Sequence, residues 1–218
     1  MPTANANASF GTVQQRYNDL IGNTTSSTAD VIGQRHINSI VQDVLGDYPF
    51  SWNLKSGTIT LSGGTATMPT DYYPGWQLED CRIKQTGTGN DLIFTQILVT
   101  QQDLYDTSTP VYWITYASST DSYQFNSNIL TGTVSITYHY NAPTMVNTTD
   151  PCVIIDPELV AYGAAAKNWI TDERNTQLAQ IYQGIYSQGI KGLYEEDVAN
   201  NAVLTQQGVT SLQTNWRQ

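Results

Sequence analysis

Apolar residues recur at helical spacing near both ends of the chain and at strand spacing between them. In the segment SFGTVQQRYNDLIG, Phe10, Val13, Tyr17, Leu20 and Ile21 share one helical face, with Ser9 as N-cap and Gly22 as stop. After the polar stretch NTTSSTAD, a second helix is predicted in VIGQRHINSIVQDVLGDYP. Its stripe is Ile37, Ile40, Val41, Val44 and Leu45, and Gly46 with Pro49 end it.

From about Phe50 to Ala142 the period shortens. GTITLSGGTATMP reads as a hairpin turning at Gly63-Gly64. EDCRIKQ, DLIFTQILVT, VYWITYA, SYQFNS and GTVSITYHYNAP bring the count to about seven strands. Their Thr, Tyr, Ile and Val content suits a half-buried antiparallel sheet. TATMPTDYYPGW terminates a strand, because Pro69 and Pro74 remove ladder donors while Thr70 and Asp71 suit a turn. It also carries an aromatic cluster, Tyr72, Tyr73 and Trp76.

The helical period then returns. DPELVAYGAAAKNWITDE starts with Asp156 as N-cap and Pro157 in the first helical position. Leu159, Tyr162, Gly163, Ala166 and Ile170 face one way, and the small residues admit a neighbouring helix. A fourth helix follows Asn175, with Leu178, Ile181, Tyr182, Ile185, Gly189 and Leu193 as its stripe. Neither helical pair can bury its stripe alone. The expected fold is therefore α+β: a four-helix bundle of N- and C-terminal helices, with an inserted antiparallel β-sandwich or curled sheet. The parts are an N-terminal helical pair (9–49), the inserted β module (50–142) and a C-terminal helical pair (150–199). Residues 200–218 lack helical periodicity and are expected to form an extended arm.

Composition narrows the function. The 218 residues carry a net charge of -10, and only 13% of them are charged. That argues against a basic patch gripping phosphates, but suits a wall that must stand beside DNA without adhering to it. The N-terminus shows no signal peptide and no stretch is long and apolar enough to span a membrane, so a soluble protein made in a cytoplasm is expected. Asn7, Asn23 and Asn147 stand in sequons that read as chance matches in a chain rich in Asn and Thr. Cys81 and Cys152 are expected as two buried thiols, with a single disulfide as the other option.

Catalytic types are sparse. His36 sits beside a helical stripe and His139 alternates with Tyr138 and Tyr140 in a strand, so neither reads as a metal ligand, and no metal or cofactor is expected. TGTGND joins two strands and lacks a following Lys-Ser/Thr, so it reads as a hairpin loop rather than a phosphate cradle. Asp71, Glu79, Asp80, Asp103 and Asp106 could serve a glycosidase only as a pair across a cleft, and nothing marks one. The run Glu195-Glu196-Asp197 reads as a solvated helix end. Aromatics on a β module suit either sugar binding or a protein interface, which makes a carbohydrate- or receptor-binding tail module the rival reading.

Over residues 9 to 198 the pattern resembles the phage head-to-tail adaptor (connector, head completion) family. The resemblance lies in two N-terminal helices, then GTITLSGGTATMPTDYYPGWQLEDCRI, similar to the family's hairpin and its proline-acid-aromatic turn. The later GTVSITYHYNAPTMVNTTDPCVIIDPELVAYGAAAKNW is similar to the family's last strand, crossover and following helix. The resemblance implies a non-enzymatic virion protein at the head–tail junction. It would form a ring, twelve-fold to match a portal, between the portal protein and tail, nozzle or stopper proteins, with DNA passing through unbound. In the polar tail, Leu204, Val209, Leu212 and above all Trp216 are the candidate partner contacts.

Overall fold

The computed structural model describes residues 9–22, 31–84, 91–106, 108–154, 156–171 and 175–214, with side chains as far as residue 200. Among the described residues four α-helices form: α1 (Phe10–Ile21), α2 (Val31–Asp47), α3 (Pro157–Thr171) and α4 (Thr176–Thr214). The first turn of a helix leaves amides without partners, and side chains supply them. Ser9 accepts from the Thr12 amide, and Gly22 closes α1 in the left-handed region at φ 73. Asp156 accepts from the amides of Glu158 and Leu159, and Asn175 from that of Leu178.

The chain divides into two units. One comprises the sequence through Trp52 and from Ala142 onward, and the other is Asn53–Asn141.

In the helical unit, α3 is the hub, contacted by α1, α2 and α4. Ala161, Ala164, Ala165 and Ala166 are wholly buried, so this helix has almost no outward face. Small side chains permit that approach: a Cβ on Gly163 would lie 2.9 Å from the Tyr186 ring and 3.0 Å from Ile40. The crossover 142–154 is part of the same core through Ala142, Met145, Cys152 and Ile154. Asn38 brackets Met145, donating to its carbonyl and accepting from its amide, while Gln42 donates to the Ala142 carbonyl.

The described residues of the second unit form one eight-stranded sheet. Its strands are β1 (Leu54–Ser62), β2 (Thr65–Thr67), β3 (Asp80–Lys84), β4 (Asp91–Ile93), β5 (Thr95–Gln96), β6 (Val111–Ala117), β7 (Ser122–Ser127) and β8 (Thr131–His139). Their order is β4-β3-β8-β1-β2-β7-β6-β5. β1 and β8 pair along their whole length, from Leu54 opposite His139 to Ser62 opposite Thr131. Inward residues Ile59, Leu61, Phe125, Val134 and Ile136 fill the core. The two ends of the sheet are neighbours in sequence, since β4 pairs with β3 and β5, one residue later, pairs with β6. A single crossing strand at Phe94 therefore nearly closes the sheet on itself.

Three expectations need correction. The four-helix bundle with an inserted antiparallel sandwich or curled sheet is not what forms: the fold is dominated by a barrel-like, nearly closed mixed sheet. The helices gather around α3 instead of sharing a common four-sided core. The sheet is mixed because β5 runs parallel to β6. Second, α4 is 39 residues long, so residues 200–214, expected as an extended arm, are helical. No proline follows Pro157, and Ala, Leu and Gln in this stretch are good helix formers. Third, the inward face of α4 keeps Tyr182, Gly189 and Leu193 of the expected stripe but not Ile181 or Ile185. Tyr182, Tyr186, Ile190, Leu193 and Tyr194 pack on the core, while Ile181 and Ile185 are exposed.

Candidate interaction surfaces

The aromatic corner in the β unit is built around Asp71. Its carboxylate accepts from Lys55 Nζ at 2.6 Å and from the Tyr138 hydroxyl at 2.8 Å, and its carbonyl accepts from the Asn141 amide. Burial pushes the Asp71 carboxyl up, but the Lys55 and Tyr138 bonds outweigh it and hold the group below the usual carboxylate range. The Tyr72 amide closes the turn on the Pro69 carbonyl, and its ring is buried, which pushes its hydroxyl up to about 12. Beside this corner lies a hollow of about 300 Å³ lined by Tyr72, Trp76, Gln77, Gln96, Tyr116 and Tyr123 among others. Among the described residues no charged side chain lines it. Chemically it offers ring faces and amides, and no acid–base pair.

Four of the five candidate acids for hydrolytic chemistry, Asp71, Glu79, Asp80 and Asp106, are engaged in structural contacts. Asp80 pairs with Arg82 at 2.8 Å, and Glu79 meets His139 Nε2 at 3.1 Å. Asp106 accepts from the amide and hydroxyl of Ser108, contacts that hold its carboxyl below its ordinary range. Asp103 and Asp106 line a hollow of about 410 Å³ with Leu104, Tyr105, Ser108 and Thr109. Among the described residues no group of three or more His, Cys, Asp or Glu could hold a metal ion. Cys81 and Cys152 are both buried free thiols, one in each unit, and burial pushes Cys81 up to about 12. The TGTGN loop falls outside the described residues, although the strands on either side of it, β3 and β4, are antiparallel neighbours.

The acidic run at 195–197 splits in two. Glu195 and Glu196 are exposed, whereas Asp197 is only 4% exposed. Its carboxylate accepts from the Ser51 amide at 3.1 Å and from the Ser51 hydroxyl at 2.5 Å. Around it Tyr48, Phe50, Trp52 and Tyr194 form an aromatic cluster, with the Phe50 and Trp52 rings stacked 4.7 Å apart. Burial, then the charge of Asp197 and its hydrogen bond, push the Tyr48 hydroxyl up. Asp197 is thus an internal anchor for α4.

Of the residues chosen as partner contacts, Leu204, Val209 and Leu212 lie on the helical stretch whose side chains are outside the described set. Trp216 lies beyond the described residues altogether. Two exposed apolar groups escaped sequence reasoning. Ile181 and Ile185 on α4 are 51% and 41% exposed, in a stretch, Thr176–Ile190, that carries no charge. Leu98, which precedes a 3₁₀ segment, Val99–Leu104, and Leu104, which ends it, are 68% and 77% exposed. A strand pattern at DLIFTQILVT hides the second group, because it gives no sign that pairing stops at Gln96.

No described helix is long and apolar enough to cross a membrane. Comparison with curated protein sequences gives no significant match. A family match covers residues 8–207, under the description SU10 adaptor protein. With nearly its whole length matched, the chain belongs to the SU10 adaptor protein family, phage head-to-tail adaptors with a structural role.

Proposed function

We propose that the chain is a ring-forming virion protein, joining the portal to tail components with DNA passing through the ring. The observation that carries this is the divided surface of α4. One face packs on α3 and is pinned at Asp197, while the other leaves Ile181 and Ile185 in solvent among uncharged glutamines. An apolar, charge-free helix face suits contact with a second copy of an acidic chain, because it brings no carboxylates together. About twelve copies, the number the family resemblance implies, make up the ring in this reading.

The C-terminal continuation of α4 is the portal contact in this reading, with Leu204, Val209, Leu212 and Trp216 as its anchors. The exposed acids Glu195 and Glu196 belong to the channel wall, where like charge repels the duplex. Assembly takes place in the host cytoplasm, and the mature position is the head–tail junction. Size-exclusion chromatography with light scattering, with and without purified portal, tests this. A ring, or a complex with the portal, is the expected result. A chain that stays monomeric, never joins the portal and binds glycans through the aromatic hollow would replace the adaptor reading with the carbohydrate-binding one.

A further inference from the structure

The segment from Ile93 to Tyr105 crosses the seam of the sheet and turns apolar side chains outward. Phe94 and Ile97 point into the core, whereas Ile93, Leu98, Val99, Leu104 and Tyr105 are all exposed. The segment holds its shape without using those side chains. The Gln101 amide donates to the Leu98 carbonyl, and the Gln101 side chain accepts from the Leu98 amide. Downstream, Asn128 donates to the carbonyls of Asp106 and Thr109 and accepts from the Val111 amide. Polar bonds therefore hold a loop whose leucines stay mostly in solvent. A preformed apolar surface of this kind loses little entropy on binding.

Its rim is acidic. Asp103 and Asp106 line the hollow beside Leu104. A second copy is a poor occupant, because the chain carries 19 acids against 9 basic residues and would bring carboxylates to this rim. The stretch Thr176–Ile190 of α4 carries no charge of its own. We infer that the seam segment 93–106 is a docking surface for a different protein, one presenting apolar side chains beside lysine or arginine. This rests on the adaptor reading and assigns that partner to the tail side, leaving α4 for copies and portal.

The test uses portal-bearing heads made without this protein, purified full-length chain, and purified tail components of the same phage. Heads are first loaded with wild-type, Leu98→Ser/Leu104→Ser or Asp103→Lys chain, re-isolated by sedimentation, and then given tail components. Both variants should match the wild type in melting temperature, ring size and head binding, yet yield about tenfold fewer tailed particles. Tail joining by the wild type should weaken as salt rises. Tailed particles at wild-type yield with both variants would overturn the inference, as would variants that lose ring size or head binding, since the surface would then serve copies or portal. A wild-type chain that never joins heads overturns the adaptor reading and this inference together.

Discussion

Asp197, near the far end of the described side chains of α4, takes both the backbone amide and the hydroxyl of Ser51, 146 residues earlier in the chain. The carboxylate is buried, so each donor it satisfies would otherwise be a lost hydrogen bond. Asp197→Ala should destabilise the helical unit by about 1–3 kcal/mol, because the Ser51 amide is left without its partner. Thermal unfolding checks this, and an unchanged melting temperature would mean that solvent replaces the bond at no cost.

Ala166 is wholly buried on α3, the helix that others surround. Ala166→Leu should overpack that contact and cost about 1–3 kcal/mol. Denaturant unfolding measures it. Full retained stability would show that the helices around α3 can move apart freely.

The carboxyl of Asp71 lies below its ordinary range, so it stabilises the fold above the unfolded-state pKa. That contribution fades as pH falls through the lowered folded-state value. Lys55→Ala should raise the Asp71 pKa toward the usual range and flatten the acid limb of the stability curve. Carboxyl titration by NMR reads this directly, and an unmoved Asp71 would assign the shift to Tyr138 and the backbone amide instead.

Glu195 and Glu196 are exposed, and Glu195 sits 3.7 Å from Lys191 in a solvent-exposed pair of little energetic weight. Glu195→Lys/Glu196→Lys should change stability by less than about 0.5 kcal/mol while raising non-specific DNA retention. Asp197 stays out of this variant because it is internal. Unaltered DNA retention and normal ejection would remove these acids from the channel wall.

Deleting residues 201–218 should leave both units folded, since the described core ends before them, but weaken attachment to the portal or to a neighbouring copy. Trp216→Ala should reproduce much of that loss, often about 2 kcal/mol for a buried interface aromatic. Virion assembly at normal yield would show that the segment is dispensable.

Local chemistry was legible in the residues themselves. Ser9, Gly22, Asp156 and Asn175 mark helix ends because a cap needs only its own turn, and all four do so in the structure. The α2 stripe from Ile37 to Leu45 is buried as its spacing predicts. What lay beyond reach were properties set by partners distant in sequence. The inward face of α4 is legible only in part, at Tyr182, Gly189 and Leu193, because Ile181, Tyr182, Ile185 and Tyr186 are apolar around much of the helix and only the position of α3 decides which are covered. Closure of the sheet hangs on Phe94, where one strand leaves β3 for β6, and the parallel pair that completes it is only two residues long. No spacing rule encodes so short a pairing. The seam surface was hidden for the same reason: Leu98 reads as a strand residue until tertiary pairing stops before it, and exposure is a property of what fails to pack there.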